Sequence, residues 1–224
     1  MSETVLILGG TREAAKLAAR ILREHPDWRI VTSLAGRTKE PKPLAGEVRI
    51  GGFGGAQGMA DYLRAEGVTR LVDATHPFAR QISANARIAA AMADVPLDIK
   101  TRAPWRKQPG DDWTVVATPE EARDAIPAGA RALLALGSQH IAPFESRADV
   151  HFLVRMVDPP EMPLALPDHE LVLGLPGETA EEEAALLTAH AITHIVCRNS
   201  GGDGAYAKIE AARKLKLPVI MITR

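Results

Sequence analysis

The amino-acid sequence predicts an α/β protein made of two similar lobes, each with a mostly parallel sheet flanked by helices. Short runs of β-branched residues and leucine alternate with alanine-rich segments of helical period, which is typical of parallel α/β sheets. Glycine-rich loops follow several of the apolar runs, and the two halves of the chain repeat the same order of segments. Together these three observations favour two related α/β lobes.

The first half of the chain contains five predicted strands separated by helical segments. The strands are Thr4–Leu8, Arg29–Ser33, Glu47–Ile50, Arg70–Asp73 and Leu97–Lys100. The helices are Glu13–Arg23, Ala56–Glu66 and Ala79–Met92. The first helix places apolar side chains, among them Leu17 and Ile21, on one face, as expected for a helix that packs against a sheet.

The second half repeats this alternation. Its predicted strands are Trp113–Ala117, Ala132–Leu136, His151–Met156, Leu171–Leu173, Ile192–Val196 and Val219–Ile222. A helix is predicted at Thr179–His190, because Thr179 can cap it and three glutamates occupy its first turn, where the helix dipole favours them. A last helix begins near Lys208.

Two pairs of segments match between the halves. Residues 68–72 align with 192–196, and residues 95–102 align with 217–224; each pair brackets a loop and an alanine-rich helix. We therefore predict an N-terminal domain at 1–102 and a C-terminal domain at 113–224, with a connector at 103–112. Because parallel sheets bind ligands beyond the carboxyl ends of their strands, we expect a ligand cleft between the lobes.

Composition excludes several classes of function. The chain has 224 residues with 27 basic and 28 acidic side chains, so it lacks the positive excess that duplex nucleic acid or an anionic membrane attracts. Its single cysteine, Cys197, excludes an internal disulfide and a multi-cysteine metal site, and we predict no metal. The apolar run at 5–8 is too short for a signal peptide or a membrane span, which predicts a cytoplasmic protein.

A glycine turn follows the first predicted strand. Gly9 and Gly10 would let the backbone approach a pyrophosphate, while Thr11 could cap the next helix and donate to phosphate. Arg12 and Glu13 stand where a dinucleotide fingerprint has further small residues, so a plain strand-to-helix turn is the alternative.

No Asp or Glu lies near the end of the second predicted strand, whereas several hydrogen-bond donors follow it. In dinucleotide folds an acidic residue here bonds the ribose 2′-hydroxyl, whereas arginine accommodates a 2′-phosphate. Ser33, Arg37, Thr38 and Lys39 can all donate. A charge-assisted hydrogen bond changes affinity by about 10- to 100-fold, which favours NADPH over NADH. The alternative is a solvated basic loop.

Two further glycine or proline loops follow the next strands. Four glycines surround Phe53 at 51–55, a pattern that suits either a flat ligand or a flexible turn. Pro77 ends the fourth strand sharply and could start the next helix at its first position. Thr75 and His76 would then face the cleft; a structural role for the histidine is the alternative.

The second lobe carries two loops of the same type. Ser138 and Gln139 follow a strand and a glycine, and the longer loop contains Asn199, Ser200, Gly201 and Gly202. Backbone N–H groups of such a loop can bind an anion. Lys208 could neutralise a carboxylate or donate a proton if burial lowers its pKa, although a solvated helix lysine is equally consistent with the spacing.

The assembled motifs resemble the precorrin-6A reductase family of cobalamin biosynthesis. Two strings are specific to it: Asp-Ala-Thr-His-Pro-Phe-Ala at 73–79, and Asn-Ser-Gly-Gly at 199–202 within the longer match 198–208. The segments 7–14 and 136–139 also match, so the resemblance spans nearly the whole chain in the expected order.

The resemblance implies a Rossmann-like enzyme that uses NADPH to saturate a carbon–carbon double bond of precorrin-6A, giving its dihydro product. It implies a small-molecule tetrapyrrole as the partner, and a monomer or small homo-oligomer. Cofactor binding is implied for Gly9, Gly10, Thr11, Arg12, Ser33, Arg37, Thr38, Thr75 and His76. Substrate binding is implied for Ser138, Gln139, Asn199, Ser200, Gly201 and Gly202. Lys208 is the first candidate for proton transfer, with Tyr206 and His76 in reserve.

Two other functions stay open from the residues alone. One is an NADPH-dependent oxidoreductase that acts on another substrate. The other is a non-catalytic dinucleotide-sensing module, which would need Arg37 but not Lys208. Turnover in a Lys208 variant distinguishes a sensor from an enzyme.

Overall fold

The computed structural model describes residues 2–36 and 43–223. The chain divides into two compact units, Met1–Arg102 and Ala103–Arg224, and residues 103–112 belong to the second unit. Each unit contains one sheet whose paired strands are all parallel. The prediction of two α/β lobes, each with a parallel sheet, is confirmed.

The first unit alternates strands and helices. Its elements are β1 (Thr4–Leu8), α1 (Arg12–Glu24), β2 (Arg29–Leu34), β3 (Glu47–Ile50), α2 (Gly55–Ala65), β4 (Arg70–Asp73), α3 (Arg80–Ala93) and β5 (Leu97–Ile99). The strand order is β3-β2-β1-β4-β5. Helix α1 packs on one face of the sheet, where Val5, Ile7 and Val72 are buried, and α2 and α3 cover the other face. These helices therefore leave the carboxyl ends of the strands free for loops.

The second unit has six strands. Its elements are β6 (Trp113–Val116), α4 (Pro119–Asp124), β7 (Arg131–Ala135), β8 (His151–Met156), β9 (His169–Leu173), α5 (Ala180–Ala189), β10 (His194–Arg198), α6 (Ala207–Leu215) and β11 (Val219–Ile222). Two single-turn 3-10 helices, Ser138–His140 and Ala142–Phe144, follow β7. The strand order is β6-β11-β10-β7-β8-β9, and α5 and α6 share one buried cluster with the sheet.

The two sheets have the same arrangement once β6 is set aside. The order β11-β10-β7-β8-β9 corresponds strand for strand to β5-β4-β1-β2-β3. Strand β7 is thus the counterpart of β1, and β10 is the counterpart of β4. The glycine loop after β10 consequently corresponds to the loop of Thr75 and His76, while the loop of Ser138 and Gln139 corresponds to the Gly9–Gly10 turn.

Three of the differences from the sequence prediction have a clear local cause. Strand β10 begins at His194 rather than Ile192, because Ala191 has a φ of +49° and the Ile192 N–H closes the end of α5 on Leu187 O at 2.9 Å. Helix α3 begins at Arg80, so Pro77 lies in the preceding turn and not at the first helical position. The six-residue helix α4, capped by Thr118, was not predicted because it is too short to show a period.

Within residues 2–36 and 43–223, no helix is both long enough and apolar enough to cross a membrane.

Candidate functional site

Four strands of the first unit end side by side. Parallel pairing aligns Arg49 with Ser33, Ser33 with Leu8, and Leu8 with Asp73. The loops that follow β1, β2, β3 and β4 therefore leave the sheet at one carboxyl edge. This edge brings together the residues predicted to bind the cofactor, as far as they are described.

The Gly9–Gly10 turn has a backbone that requires glycine twice. The Gly9 N–H donates to Ser33 O at 2.9 Å, and a Cβ atom on Gly9 would stand only 2.7 Å from Thr32 Cγ2. Gly10 has a φ of +93° and no atom within 4 Å of the Cβ position. The turn is thus closed on its sheet side and open at Gly10, where a ligand can approach the backbone.

Thr11 joins this turn to α1 and to the neighbouring strand. Its Oγ1 accepts from Ala14 N at 3.1 Å, which caps the helix, and donates to Ala74 O at 2.9 Å. The hydroxyl proton is therefore used inside the protein, and the first-turn backbone N–H groups are the donors that the turn offers to an anion. Arg12 is exposed at the first position of α1, and Glu13 pairs with Arg102 at 3.1 Å.

The loop after β4 is organised by a buried carboxylate that the sequence analysis did not single out. Asp73 Oδ1 accepts from Thr75 N at 3.1 Å and from Thr75 Oγ1 at 2.7 Å. His76 Nδ1 accepts from Phe78 N at 3.3 Å, which orients the imidazole ring within this loop. Thr75 thus fixes the turn, and His76 is half-buried beside it.

Of the remaining cofactor candidates, only Ser33 belongs to the described residues. Ser33 is buried at the end of β2. Arg37 and Thr38 lie outside the described residues, so their roles stay predictions. Arg49, at the end of β3, was missed; the signal that could have found it is an arginine just before the glycine loop at 51–55.

Two loops of the second unit are neighbours, because β7 pairs with β10. The Cβ position of Gly137 lies 4.0 Å from Arg198 Nη2, and Ser138 and Gln139 follow as exposed residues of a 3-10 turn. The structure therefore brings the Ser138–Gln139 turn beside the start of the 199–204 loop. Asn199, Ser200 and Gly201 are buried within that loop, and Gly202 is half-buried.

Trp105 holds the 199–204 loop by three hydrogen bonds. Its N–H donates to Asn199 Oδ1 at 2.7 Å, and Asn199 Nδ2 donates back to Trp105 O at 2.9 Å. The indole Nε1–H donates to Gly202 O at 2.7 Å. The Asn199 side-chain amide therefore pairs with the N–H and C=O groups of Trp105, as a backbone peptide group would. Its residue type alone did not reveal this role.

Tyr206 and Lys208 pack against the same indole. The Tyr206 ring lies 5.6 Å from the Trp105 ring, and its hydroxyl accepts from Arg213 Nη2 at 3.0 Å. The buried Lys208 Nζ donates to Ala205 O at 2.7 Å and lies 5.2 Å from the Trp105 ring centre. Burial lowers the pKa of the Lys208 ammonium group below its ordinary value, because desolvation disfavours the charged form.

A cavity of about 200 Å³ opens beside this loop. Its lining residues are Trp105, Arg106, Gln108, Gly202, Asp203 and Tyr206. Two aromatic side chains form the apolar part of the wall, and Arg106 supplies a positive charge at the surface. The cavity can accept an apolar body that carries an anionic group.

Two parallel sheets, each with glycine loops at its carboxyl edge, place the chain in the class of Rossmann-like α/β proteins. The particular family is set by comparison with known proteins. The family model described as precorrin-6x reductase CbiJ/CobK matches residues 4–224. The chain belongs to this family, as its sequence motifs predicted.

Individual relatives support the family assignment. The chain is 48% identical to the precorrin-6A reductase of Rhodobacter capsulatus, over 98% of this chain and 87% of that protein. It is 31% identical to the cobalt-precorrin-6A reductase of Priestia megaterium, over 98% of this chain and 90% of that one. A solved structure of CobK precorrin-6A reductase superposes with a TM-score of 0.95 at 48% identity, covering 99% of this chain and 88% of that chain.

Family membership confirms the predicted function. The protein is an oxidoreductase that acts on a CH–CH group in cobalamin biosynthesis.

Proposed function

We propose that this protein reduces precorrin-6A with NADPH, that the first unit binds the coenzyme, and that the second unit binds the tetrapyrrole. The cobalt-free substrate is favoured because the relative that acts on the cobalt form is the more distant of the two compared above. A cytoplasmic location, and a monomer or small homo-oligomer, stay predictions.

The Gly9–Gly10 turn is the observation that carries the coenzyme assignment. Its open side at Gly10 and the first turn of α1 form a cradle that any side chain at Gly10 would fill, and such a cradle fits a pyrophosphate. Gly9 and Thr11 set its shape, and Arg12 lies at its rim. His76 and Thr75, on the loop after β4, complete the proposed coenzyme side.

The second unit supplies matching chemistry for the substrate. The tetrapyrrole has a large apolar ring with acetate and propionate carboxylates, and the 200 Å³ cavity combines Trp105 and Tyr206 with Arg106. The exposed Ser138 and Gln139 are proposed to donate hydrogen bonds to carboxylates. Buried Asn199, Ser200, Gly201 and Gly202 contribute backbone groups and loop shape.

Saturation of one carbon–carbon double bond consumes one hydride and one proton, and bound NADPH supplies the hydride. The protein's own residues must therefore position the ring and deliver the proton. Lys208 is the proposed donor, because a buried ammonium group with a lowered pKa releases its proton readily. Tyr206 and His76 are the alternatives.

Lys208→Met tests the proton-transfer role, since methionine preserves the packing length without the charge. We expect turnover to fall about 100-fold, within the usual range for loss of general acid catalysis, while NADPH binding is unchanged. Lys214→Met is the matched control, because Lys214 is an exposed lysine of the same helix. Full turnover in Lys208→Met would transfer the role to Tyr206 or His76.

Binding of the two coenzymes tests the NADPH assignment. Titration of the full chain with NADPH and NADH should give tighter binding of NADPH. Arg37→Ala should weaken NADPH far more than NADH, and an equal loss of both would refute a contact between Arg37 and the 2′-phosphate.

A further inference from the structure

Arg49 is held rigidly at the end of β3. Its Nη1 donates to Gly51 O at 2.6 Å, and its Nη2 donates to Gly52 O at 2.8 Å. The guanidinium carbon lies 3.8 Å from the centre of the Phe53 ring and 5.0 Å from that of Tyr62. Stacking on the ring fixes the plane of the guanidinium group and leaves its edge available to a ligand.

The position of Arg49 in the sheet connects it to the proposed coenzyme site. Arg49 is paired in register with Ser33, which is paired with Leu8, the residue before the Gly9–Gly10 turn. Two strand spacings, about 9–10 Å, therefore separate Arg49 from the strand that leads into the turn. Arg49 Nη1 also reaches Ser33 Oγ at 3.4 Å, at the strand end where dinucleotide folds bind the adenosine ribose.

Among the described residues, Arg49 has more N–H donors than hydrogen-bond acceptors. A guanidinium group has five N–H donors, and Gly51, Gly52 and Ser33 take three of them. Among the contacts of the described residues, the Nε–H and one Nη2–H have no acceptor. The buried Ser33 hydroxyl, which accepts from Arg49, likewise donates to no described residue. A phosphate can accept from both side chains.

We propose that Arg49, with Ser33, binds the 2′-phosphate of NADPH and so selects NADPH over NADH. This inference rests on the proposed function, because it assigns a part of the coenzyme to a residue of the coenzyme-binding unit. Arg49 is a preorganised phosphate ligand: its contacts with Gly51, Gly52 and Phe53 order the side chain before the coenzyme arrives, which lowers the entropic cost of binding.

The test is the equilibrium dissociation constant of each coenzyme, measured by titration of the full chain without substrate. Arg49→Gln should weaken NADPH about 10- to 100-fold and leave NADH within about threefold, since only NADPH carries the 2′-phosphate. Arg49→Lys keeps the charge and should recover part of the NADPH affinity. Arg23→Gln is the control, because it removes the same charge from the exposed last turn of α1.

Each outcome decides the proposal. A selective loss of NADPH binding supports it, and the retained NADH binding shows that the variant is folded. Equal weakening of both coenzymes would overturn it, because Arg49 would then only support the 51–55 loop. If the wild type prefers NADPH and Arg49→Gln keeps that preference, the role of Arg49 is overturned while the NADPH assignment stands. A wild-type chain without any preference overturns the NADPH assignment as well.

Discussion

The two glycine loops of this protein are built in opposite ways. In the first unit, Gly10 stands in open space, and the turn is attached mainly through Gly9 and Thr11. In the second unit, residues 199–201 are buried, and Trp105 and Asn199 fasten the 199–204 loop. A loop that binds a phosphate through its backbone needs unoccupied N–H groups, whereas a loop that shapes a wall for a ring system needs rigidity.

The same contrast applies to the buried polar groups of each unit. The first unit buries Thr32, Ser33 and Asp73, whereas the second buries Arg155, Glu183, Asn199, Ser200 and Lys208. Because an unpaired buried polar group costs free energy, each of the second set must keep its partner. Loss of a partner in the second unit should therefore be more destabilising than loss of a surface pair in the first.

Removal of Glu183 should have the largest effect on stability. Glu183 accepts from Arg155 Nη1 at 2.8 and 3.0 Å and from Gly177 N at 2.6 Å. Glu183→Ala leaves a buried guanidinium unpaired and should lower the free energy of unfolding by about 3–5 kcal/mol, measured by urea titration. Glu47→Ala, which breaks the exposed pair with Arg29, should have a much smaller effect. Equal losses of unfolding free energy in Glu183→Ala and Glu47→Ala would contradict the difference between the units.

Asn199→Ala should have the second-largest effect on stability. It removes both side-chain bonds to Trp105 and should destabilise the protein by about 1–3 kcal/mol, because the Trp105 backbone groups lose their partners. Turnover should fall while NADPH affinity is retained, as measured by kinetics and by titration. Asn85→Ala, on α3 of the first unit, is the matched control. Unchanged turnover in Asn199→Ala would show that the loop does not need this attachment.

Lys208 makes stability depend on pH. Its pKa is lowered by burial from 10.5, so between the native value and 10.5 the unfolded chain binds a proton that the native chain has lost. Stability should therefore rise with pH, by at most about 1.4 kcal/mol per pH unit. Burial raises the pKa of Cys197 above 9.0, which has the opposite effect at higher pH, so urea titrations should stay below pH 9.

The variant Lys208→Met isolates this contribution. Well above pH 6.5, where the lowered pKa of His194 no longer affects stability, the rise of stability with pH should disappear in Lys208→Met and persist in Lys214→Met, whose changed side chain is exposed. If the free energy of unfolding changes with pH in the same way in wild type and Lys208→Met, native Lys208 does not lose its proton in this pH range.

Thr11→Val should have the smallest effect on stability, about 1 kcal/mol, because it removes a helix cap and the bond to Ala74. It should also weaken NADPH binding severalfold, since the turn loses its tie to β4. Thr179→Val removes the equivalent cap of α5 in the second unit and should leave NADPH binding unchanged. Equal NADPH affinities in the two variants would contradict a coenzyme site at the first turn.

Much of the fold could be predicted because local patterns were strong. The strands Thr4–Leu8 and His151–Met156 were predicted to the residue, and Thr179 was recognised as the cap of α5. The hydrogen bonds of Trp105 could not be assigned by sequence, since its partner Asn199 lies 94 residues away. Asp73 bonds Thr75, only two residues away, and was a local contact that the sequence prediction missed.

By itself, the sequence determined the alternation of strands and helices, the repeat of the two halves and the family, because apolar periodicity, glycine turns and motif strings are local properties of the chain. Only the tertiary structure decided which polar groups of the loops are already used inside the protein. Thr11 and Asn199 illustrate this: the fold brings Ala74 O to Thr11 and Trp105 O to Asn199 from 63 and 94 residues away, and no local pattern encodes such a contact.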